Sequence, residues 1–151
     1  MQSLELDRAQ PPDVPALVEL LGLLFAQEVD FRPAPAKQQH ALTTILANPT
    51  AGCIFVARVA GRIVGMVNLL FLISTAEGGT VIQLEDFIVH PDFRGQGLGR
   101  QMLQHVIAFA RREKFSRITL LTDAHNADAQ RLYQGHGFTT SAMIPLRLHL
   151  P

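Results

Sequence analysis

The chain has 151 residues, of which 48% are hydrophobic and 17% charged, and its 13 basic residues are balanced by 13 acidic ones. This length and composition are typical of one globular domain, over residues 1–151, that can build an apolar core. The charge balance disfavours nucleic acid as a partner, because nucleic-acid-binding proteins usually carry a basic excess. The single cysteine, Cys53, excludes an intramolecular disulfide and fits a reducing compartment.

Two stretches are the candidates for a targeting or membrane segment. Residues 1–13 have neither the basic start nor the apolar centre of a signal peptide. The longest apolar run, residues 63–73, is too short to span a bilayer and contains Asn68. The sequence therefore predicts a cytoplasmic protein without a membrane partner.

The first half of the chain predicts one strand, two helices and a β-hairpin. Alternation of apolar and polar residues indicates the strand, and apolar residues at helical spacing indicate both helices. Asp13 is a plausible N-cap for the first helix. A run rich in β-branched residues, broken by Ala60-Gly61, indicates the hairpin. The predicted ranges are 3–9 for the strand, 14–29 and 36–48 for the helices, and 52–75 for the hairpin.

The second half predicts a β-α-β unit followed by a short helix and a last strand. An apolar strand over 81–89 leads through a glycine segment into a helix that ends near Lys114, and a second strand covers 116–122. The two strands should run parallel, because a helix connects them. The final elements are a helix over 126–134 and a strand region over 138–150. The order β-α-α-β-β-β-α-β-α-β predicts an α/β fold with a mixed central sheet flanked by helices.

A glycine-rich segment precedes the predicted third helix and reads RGQGLG, from Arg94 to Gly99, with Arg100 next. It lacks the spacing of a Rossmann loop and the Gly-Lys-Ser/Thr of a P-loop. The first N–H groups of a helix are unpaired and favour an anion, and glycines let that anion approach the backbone. On these grounds an anion site and a tight turn are equally good interpretations.

Two motifs together resemble the GNAT superfamily of acyl-CoA-dependent N-acyltransferases. Residues 94–99 are similar to the family's [QR]-x-x-G-x-[GA] loop. Residues 126–133, followed by Gly137-Phe138, resemble its N-x-x-A-x-x-x-Y…G-F segment. The motifs lie in the family's order, one strand apart, and the predicted element order is also the family's.

The resemblance implies acetyl-CoA as cosubstrate and a direct transfer of its acetyl group to a primary amine. The glycine loop would hold the pyrophosphate, and the backbone near the end of the preceding strand would pair with the pantetheine arm. Asn126 would hold the cosubstrate, cap its helix, or do both. The implied cosubstrate-binding residues are Phe87, Ile88, Val89, Arg94, Gly95, Gln96, Gly97, Leu98, Gly99, Arg100 and Asn126.

Two residues are candidates for catalysis. Glu85 lies in the middle of an apolar strand, where a carboxylate is costly without a function or a partner. It is the candidate base, although a structural ion pair would also explain it. Tyr133 is the candidate acid for the leaving thiolate, and the alternative is a packing tyrosine. Asp86 should face the opposite side of the strand from Glu85 unless the strand bulges.

The acceptor is the least specified part. The string Leu-Glu-Asp-Phe, residues 84–87, is similar to that of spermidine/spermine and thialysine N-acetyltransferases, which implies a small polyamine or diamine acceptor near Glu85, Asp86 and Phe31. Mixed charges between residues 27 and 39 suit an amino acid almost as well. Peptide or protein amines, and a non-catalytic acyl-CoA sensor, are the alternatives.

Metal binding and assembly receive weaker signals. The six histidines show no metal-ligand spacing, so no metal is expected. Dimerisation is common in the family, and the apolar hairpin from Ile54 to Ile73 could supply an edge for a homodimer.

Overall fold

A computed structural model describes residues 3–28 and 30–151, so Met1, Gln2 and Val29, the last residue of the predicted first helix, lie outside the described part. Within that part, no helix is both long and apolar enough to cross a bilayer. The elements are β1 (Leu4–Arg8), α1 (Val14–Gln27), α2 (Pro35–Ala47), β2 (Gly52–Val59), β3 (Arg62–Ser74), β4 (Gly79–Val89), α3 (Leu98–Arg112), β5 (Ile118–Leu120) and α4 (Ala127–Gln134).

The five strands form one sheet in the order β1-β2-β3-β4-β5. Neighbouring strands are antiparallel from β1 to β4, whereas β4 and β5 pair in parallel through Ile82↔Ile118 and Leu84↔Leu120. The parallel pair follows from the β-α-β connection, because a helical crossover returns the chain in the same direction. The predicted mixed α/β fold is therefore confirmed.

Helices cover both faces of the sheet, and strand alternation sorts the apolar residues between two cores. On β2, Phe55 and Ala57 pack in the core that includes α3 and Tyr133, while Ile54 and Val56 pack in the core that includes α1 and α2. Successive strand residues point to opposite faces, which explains this division. A sheet buried on both sides has little room for a charged group, so its polar residues mark special positions.

The C-terminal part of the chain differs from the prediction. Strand β5 is shorter than predicted, and residues 138–151 form neither helix nor strand, so the predicted last strand is wrong. Alternating apolar residues favour a strand, but a strand also needs a partner edge, and Pro145 lacks an N–H for a ladder. Five apolar side chains there are 77% to 89% exposed: Met143, Ile144, Leu146, Leu148 and Leu150.

The predicted hairpin forms, but it lies inside the sheet. Strand β1 pairs along β2, and β4 pairs along β3 as far as Ser74↔Gly79. Both outer edges of the hairpin are therefore occupied within one chain. The hairpin from Ile54 to Ile73 does not supply the free edge that was expected for a homodimer.

Candidate functional site

Strand β4 carries a β-bulge at the centre of the predicted site. Val67 of β3 pairs with Phe87, and Leu69 pairs with Leu84, so Glu85 and Asp86 together lie opposite the single residue Asn68. A bulge of this kind disrupts the ladder locally and redirects side chains, and bulges are common next to active sites. Strand β4 therefore contains the bulge that would exempt Glu85 and Asp86 from strict alternation.

Strands β4 and β5 part at the same point. Their last parallel pair is Leu84↔Leu120, whereas β4 continues to Val89. In the described chain, the end of β4 thus runs on without β5 beside it. The predicted backbone site at Phe87, Ile88 and Val89 lies in this stretch, where an extended ligand can hydrogen-bond as an added strand.

The glycine loop places the start of α3 next to the end of β4. Gly97 is the N-cap of α3 with φ 80°, and Gly95 has φ 75°, so both adopt the left-handed conformation that favours glycine. Arg94 Nε donates a hydrogen bond of 3.1 Å to the carbonyl oxygen of Val89, which ties the loop to β4. The first turn of α3 offers unpaired N–H groups and the positive end of the helix dipole.

The second motif forms α4 and its N-cap. The Asn126 side chain accepts a hydrogen bond of 3.1 Å from the Ala129 N–H, so it caps the helix. Tyr133 is only 9% exposed, and its ring meets the edge of Phe87 at a centroid distance of 6.2 Å. Burial raises the pKa of the Tyr133 phenol to about 12, so it keeps its proton at neutral pH. Helix α4 therefore brings a protonated phenol beside β4.

The two carboxylates in the bulge differ in their surroundings. Glu85 is exposed, yet the protein around its carboxyl group raises its pKa, the charge of Asp86 adds to this, and Arg147 opposes it. Burial also raises the pKa of Asp86, against a hydrogen bond of 3.2 Å that Asn68 Nδ2 donates to it. Both groups thus bind a proton more readily than carboxylates in water.

Further acids surround this pair. Burial and the charges of Asp123, Asp86, Glu85 and Asp30 raise the pKa of Glu28 to about 7. We call these five residues, Glu28, Asp30, Glu85, Asp86 and Asp123, the acidic cluster. Asp123 was not predicted from the sequence. Its position just after β5 is the signal that could have indicated it, because the carboxyl ends of parallel strands lie at one edge of a sheet.

The C-terminal segment reaches the same place. Arg147 Nη1 donates to Asp30 Oδ2 at 3.0 Å, and the Arg147 guanidinium lies 5.3 Å from the centroid of the Phe31 ring. Phe31, predicted near the acceptor, is therefore beside the acidic cluster. By contrast, a cavity of 710 Å³ between α1 and α2 contains none of the predicted site residues, so we place the site on the chemistry of β4.

Solved structures with this fold include proteins that are described as acetyltransferases. A structure from Clostridium difficile 630, described as a possible acetyltransferase, has a TM-score of 0.88 at 13% identity, covering 98% of each chain. An acetyltransferase of Clostridium acetobutylicum, crystallised with acetyl-CoA, has a TM-score of 0.78 at 18% identity and covers 97% of this chain and 96% of its own. At these identities the likeness defines the fold class.

The family follows from the sequence match. Residues 16–138 match the sequence model of the acetyltransferase (GNAT) family, and the chain therefore belongs to that family. N-acetyltransferase 8B of Mus musculus is 31% identical over 124 residues, 81% of this chain and 53% of that protein. N-acetylaspartate synthetase of Danio rerio is 32% identical over 90 residues, 60% of this chain and 30% of that protein. The chain thus spans about half or less of these relatives.

Proposed function

We propose that the chain is an acetyl-CoA-dependent N-acetyltransferase that transfers an acetyl group to a primary amine of a small molecule. The observation that carries this proposal is the gap beyond Leu84, with Glu85 on β4 and Tyr133 packed on Phe87. Membership of the family supports it, as do relatives named N-acetyltransferases and a neighbour crystallised with acetyl-CoA.

The residues present fit acetyl-CoA, which supplies the acetyl group as a thioester. The N-terminus of α3 suits the pyrophosphate, because Gly95 and Gly97 leave the backbone open. The N-cap residue, Gly97, has no side chain to bond the first N–H groups of the helix. The end of β4 suits the pantetheine arm. Asn126 uses its Oδ1 as a helix cap, which leaves its amide nitrogen for the cosubstrate.

The acceptor amine must lose a proton before it can react. An amine with a pKa of about 10 is neutral in about one molecule per thousand at pH 7, which costs roughly 4 kcal/mol. Glu85 accepts this proton, directly or through a water molecule, and its raised pKa improves it as a base near neutral pH. The amine nitrogen then bonds to the thioester carbonyl carbon, and the carbon–sulfur bond breaks.

The leaving sulfur needs a proton or a hydrogen bond. Tyr133 supplies it from α4, and its place beside Phe87 sets it near the end of β4. A thiol has a pKa of about 8.5, well below that of the buried phenol, so a shared proton is favoured over a completed transfer. The amine nitrogen loses two protons in all: one leaves through Glu85 before the attack, and the other passes to the sulfur as the carbon–sulfur bond breaks. The products are the N-acetyl amine, the thiol of coenzyme A and one released proton.

The proposal is tested by calorimetric titration with acetyl-CoA and by a thiol-reagent assay of coenzyme A release with a panel of amines. We expect binding, and release that depends on the amine. Binding without release from any amine would favour the acyl-CoA sensor. Absence of binding would end the proposal.

A glycine substitution tests whether the loop binds the anion, apart from the backbone strain that the substitution causes. Gly97→Ala should weaken acetyl-CoA binding about tenfold, because alanine is strained at φ 80° and its methyl group enters the loop. Gly61→Ala is the matched control, since Gly61 has φ 78° and open space around it, away from the site. Both variants should lose about 1 kcal/mol of unfolding free energy, measured by thermal denaturation. Equal acetyl-CoA affinity in both would contradict the anion site.

A homodimer is a further part of the proposal, and the C-terminal segment supports it better than the hairpin. Ile144, Leu146, Leu148 and Leu150 alternate and are exposed, so a strand made from them would present one apolar face. A second copy could cover that face. Light scattering should then give twice the chain mass of 16.6 kDa. A chain that ends at residue 142 should give the mass of a monomer. A monomer mass for the full chain would refute the dimer.

A further inference from the structure

We propose that the acidic cluster is a binding site for a second cationic group of the acceptor, which makes the acceptor a diamine or polyamine. This inference rests on the proposed function, since it names the acceptor class of the same site. It assigns the reacting amine to Glu85 and a distal ammonium to the outer part of the cluster, beside Asp30 and Phe31.

The first support is the convergence of negative charge from separate segments. Glu28 follows the last residue of α1, Asp30 lies in the next loop, Glu85 and Asp86 form the bulge, and Asp123 follows β5. The carboxyl end of α1 adds the negative end of its helix dipole. Within the described residues, no group of His, Cys, Asp or Glu side chains is arranged to hold a metal ion. The spread of these charges suits an extended cation better than a metal.

The second support is a buried oxygen that lacks a hydrogen-bond donor. Asn68 is 5% exposed, and its amide nitrogen donates to Asp86 in the bulge. Its Oδ1 is buried and has no partner among the described residues. A buried acceptor without a partner is costly, and an ammonium carries three donors. The reacting ammonium of the acceptor, which enters beside Glu85 and Asp86 before it loses its proton, would satisfy this oxygen.

The third support is a cation that the chain itself places at the cluster. The Arg147 guanidinium pairs with Asp30 and lies over the Phe31 ring, so one carboxylate and one aromatic face already hold a positive group. Arg147 belongs to an exposed segment without regular secondary structure, so displacing it costs little packing. We infer that the distal ammonium takes the place of this guanidinium.

The same charges disfavour an anionic acceptor. The relative from Danio rerio is named for N-acetylaspartate, whose amine precursor carries two carboxylates. In this chain such an acceptor would face the carboxylates of the acidic cluster, with the Arg147 guanidinium held on Asp30. Repulsion from like charges at close range is a strong means of rejecting a partner.

The pH dependence offers a signature of the distal site. Glu28, whose pKa is about 7, faces Asp123, Asp86, Glu85 and Asp30, and Arg147 lies on Asp30. Below pH 7 Glu28 becomes neutral and the attraction weakens, so a dication should gain over a monocation as the pH rises through 7. The ratio of the two kcat/KM values isolates this effect, because deprotonation of the reacting amine affects both acceptors alike.

The experiment measures coenzyme A release by the full chain with spermidine, 1,4-diaminobutane, n-butylamine and aspartate at fixed acetyl-CoA. We expect the two polyvalent amines to exceed n-butylamine at least about tenfold in kcat/KM, with aspartate lowest. Glu28→Gln and Asp30→Asn should each lower the ratio of kcat/KM for spermidine to kcat/KM for n-butylamine. Glu19→Gln, which changes an exposed acid on α1, should leave that ratio unchanged.

The outcomes separate the two proposals. Release that is as fast with n-butylamine or aspartate as with spermidine overturns the cation site and leaves the acetyltransferase standing. If no amine releases coenzyme A, the proposed function is contradicted, and calorimetry with spermidine then decides the cation site: binding that Glu28→Gln weakens and Glu19→Gln keeps supports it, and no binding overturns it.

Arg147→Gln gives an independent check. Removing the competing guanidinium should lower the KM for spermidine severalfold. A rise in that KM, together with a loss of activity on amino acids, would assign Arg147 to a carboxylate of the acceptor and overturn the inference.

Discussion

Glu85→Gln is expected to lower kcat/KM at pH 7 by about a hundredfold or more, the usual contribution of a general base. Glutamine keeps the size of the side chain and cannot take the proton of the amine. The loss should shrink as the pH approaches the pKa of the amine, because free neutral amine then replaces the missing base. The measurement is the ratio of wild-type to variant kcat/KM between pH 6 and about 10.

The pH–rate profile of the wild-type protein should also show the titration of Glu85. Surrounding protein and the charge of Asp86 raise the pKa of Glu85, so the rate should rise with pH above the usual titration range of a glutamate. Glu77→Gln, an exposed acid in the β3–β4 turn, is the control and should match wild type. A variant-to-wild-type ratio that does not change with pH would exclude Glu85 as the base.

Tyr133→Phe should lower kcat by about a hundredfold with little change in acetyl-CoA affinity. The variant keeps the ring, which packs 6.2 Å from Phe87 and 5.6 Å from Phe138 between centroids, and removes only the hydroxyl donor. The thermal midpoint should therefore stay near that of wild type. Turnover under saturating amine, calorimetric affinity and thermal unfolding together check this expectation.

An unchanged kcat would remove Tyr133 from the reaction and would favour its packing role, because phenylalanine keeps the ring. The pH profile adds a further test. The pKa of Tyr133 is about 12, so its deprotonation should not limit the rate in the alkaline range of ordinary assays. An alkaline decline near pH 9 that disappears in the variant would contradict the protonated phenol.

The β-α-β unit could be predicted from sequence because its signals are local. An apolar strand, three glycines and a helix ending near Arg112 lie in one continuous stretch, and the connection requires parallel strands. The same holds for Asn126, whose position before α4 predicted its cap. The cytoplasmic location and the single-domain organisation remain predictions.

The fate of the predicted last strand and the acidic cluster both depend on residues that are distant in the chain. Neither could therefore be predicted from local sequence patterns. Residues 144–150 alternate like a strand, but alternation does not say whether an edge is available. Glu28 and Asp123 are far apart in the chain, and only the fold brings the charge of Asp123 close enough to raise the pKa of Glu28. Net charge, which is zero, gave no hint of this local excess.

The bulge in β4 also shifts the phase of the strand. Before it, Ile82 and Leu84 face the core under α3. After it, Phe87 and Val89 face that core, while Ile88 faces α1 and α2. Strict alternation would have placed residues of even number on one face throughout. The pair Glu85-Asp86 therefore works as a spacer as well as a source of carboxylates. A regular strand that kept both residues would turn Phe87 away from Tyr133, whereas deleting either one would restore plain alternation and leave Phe87 facing it.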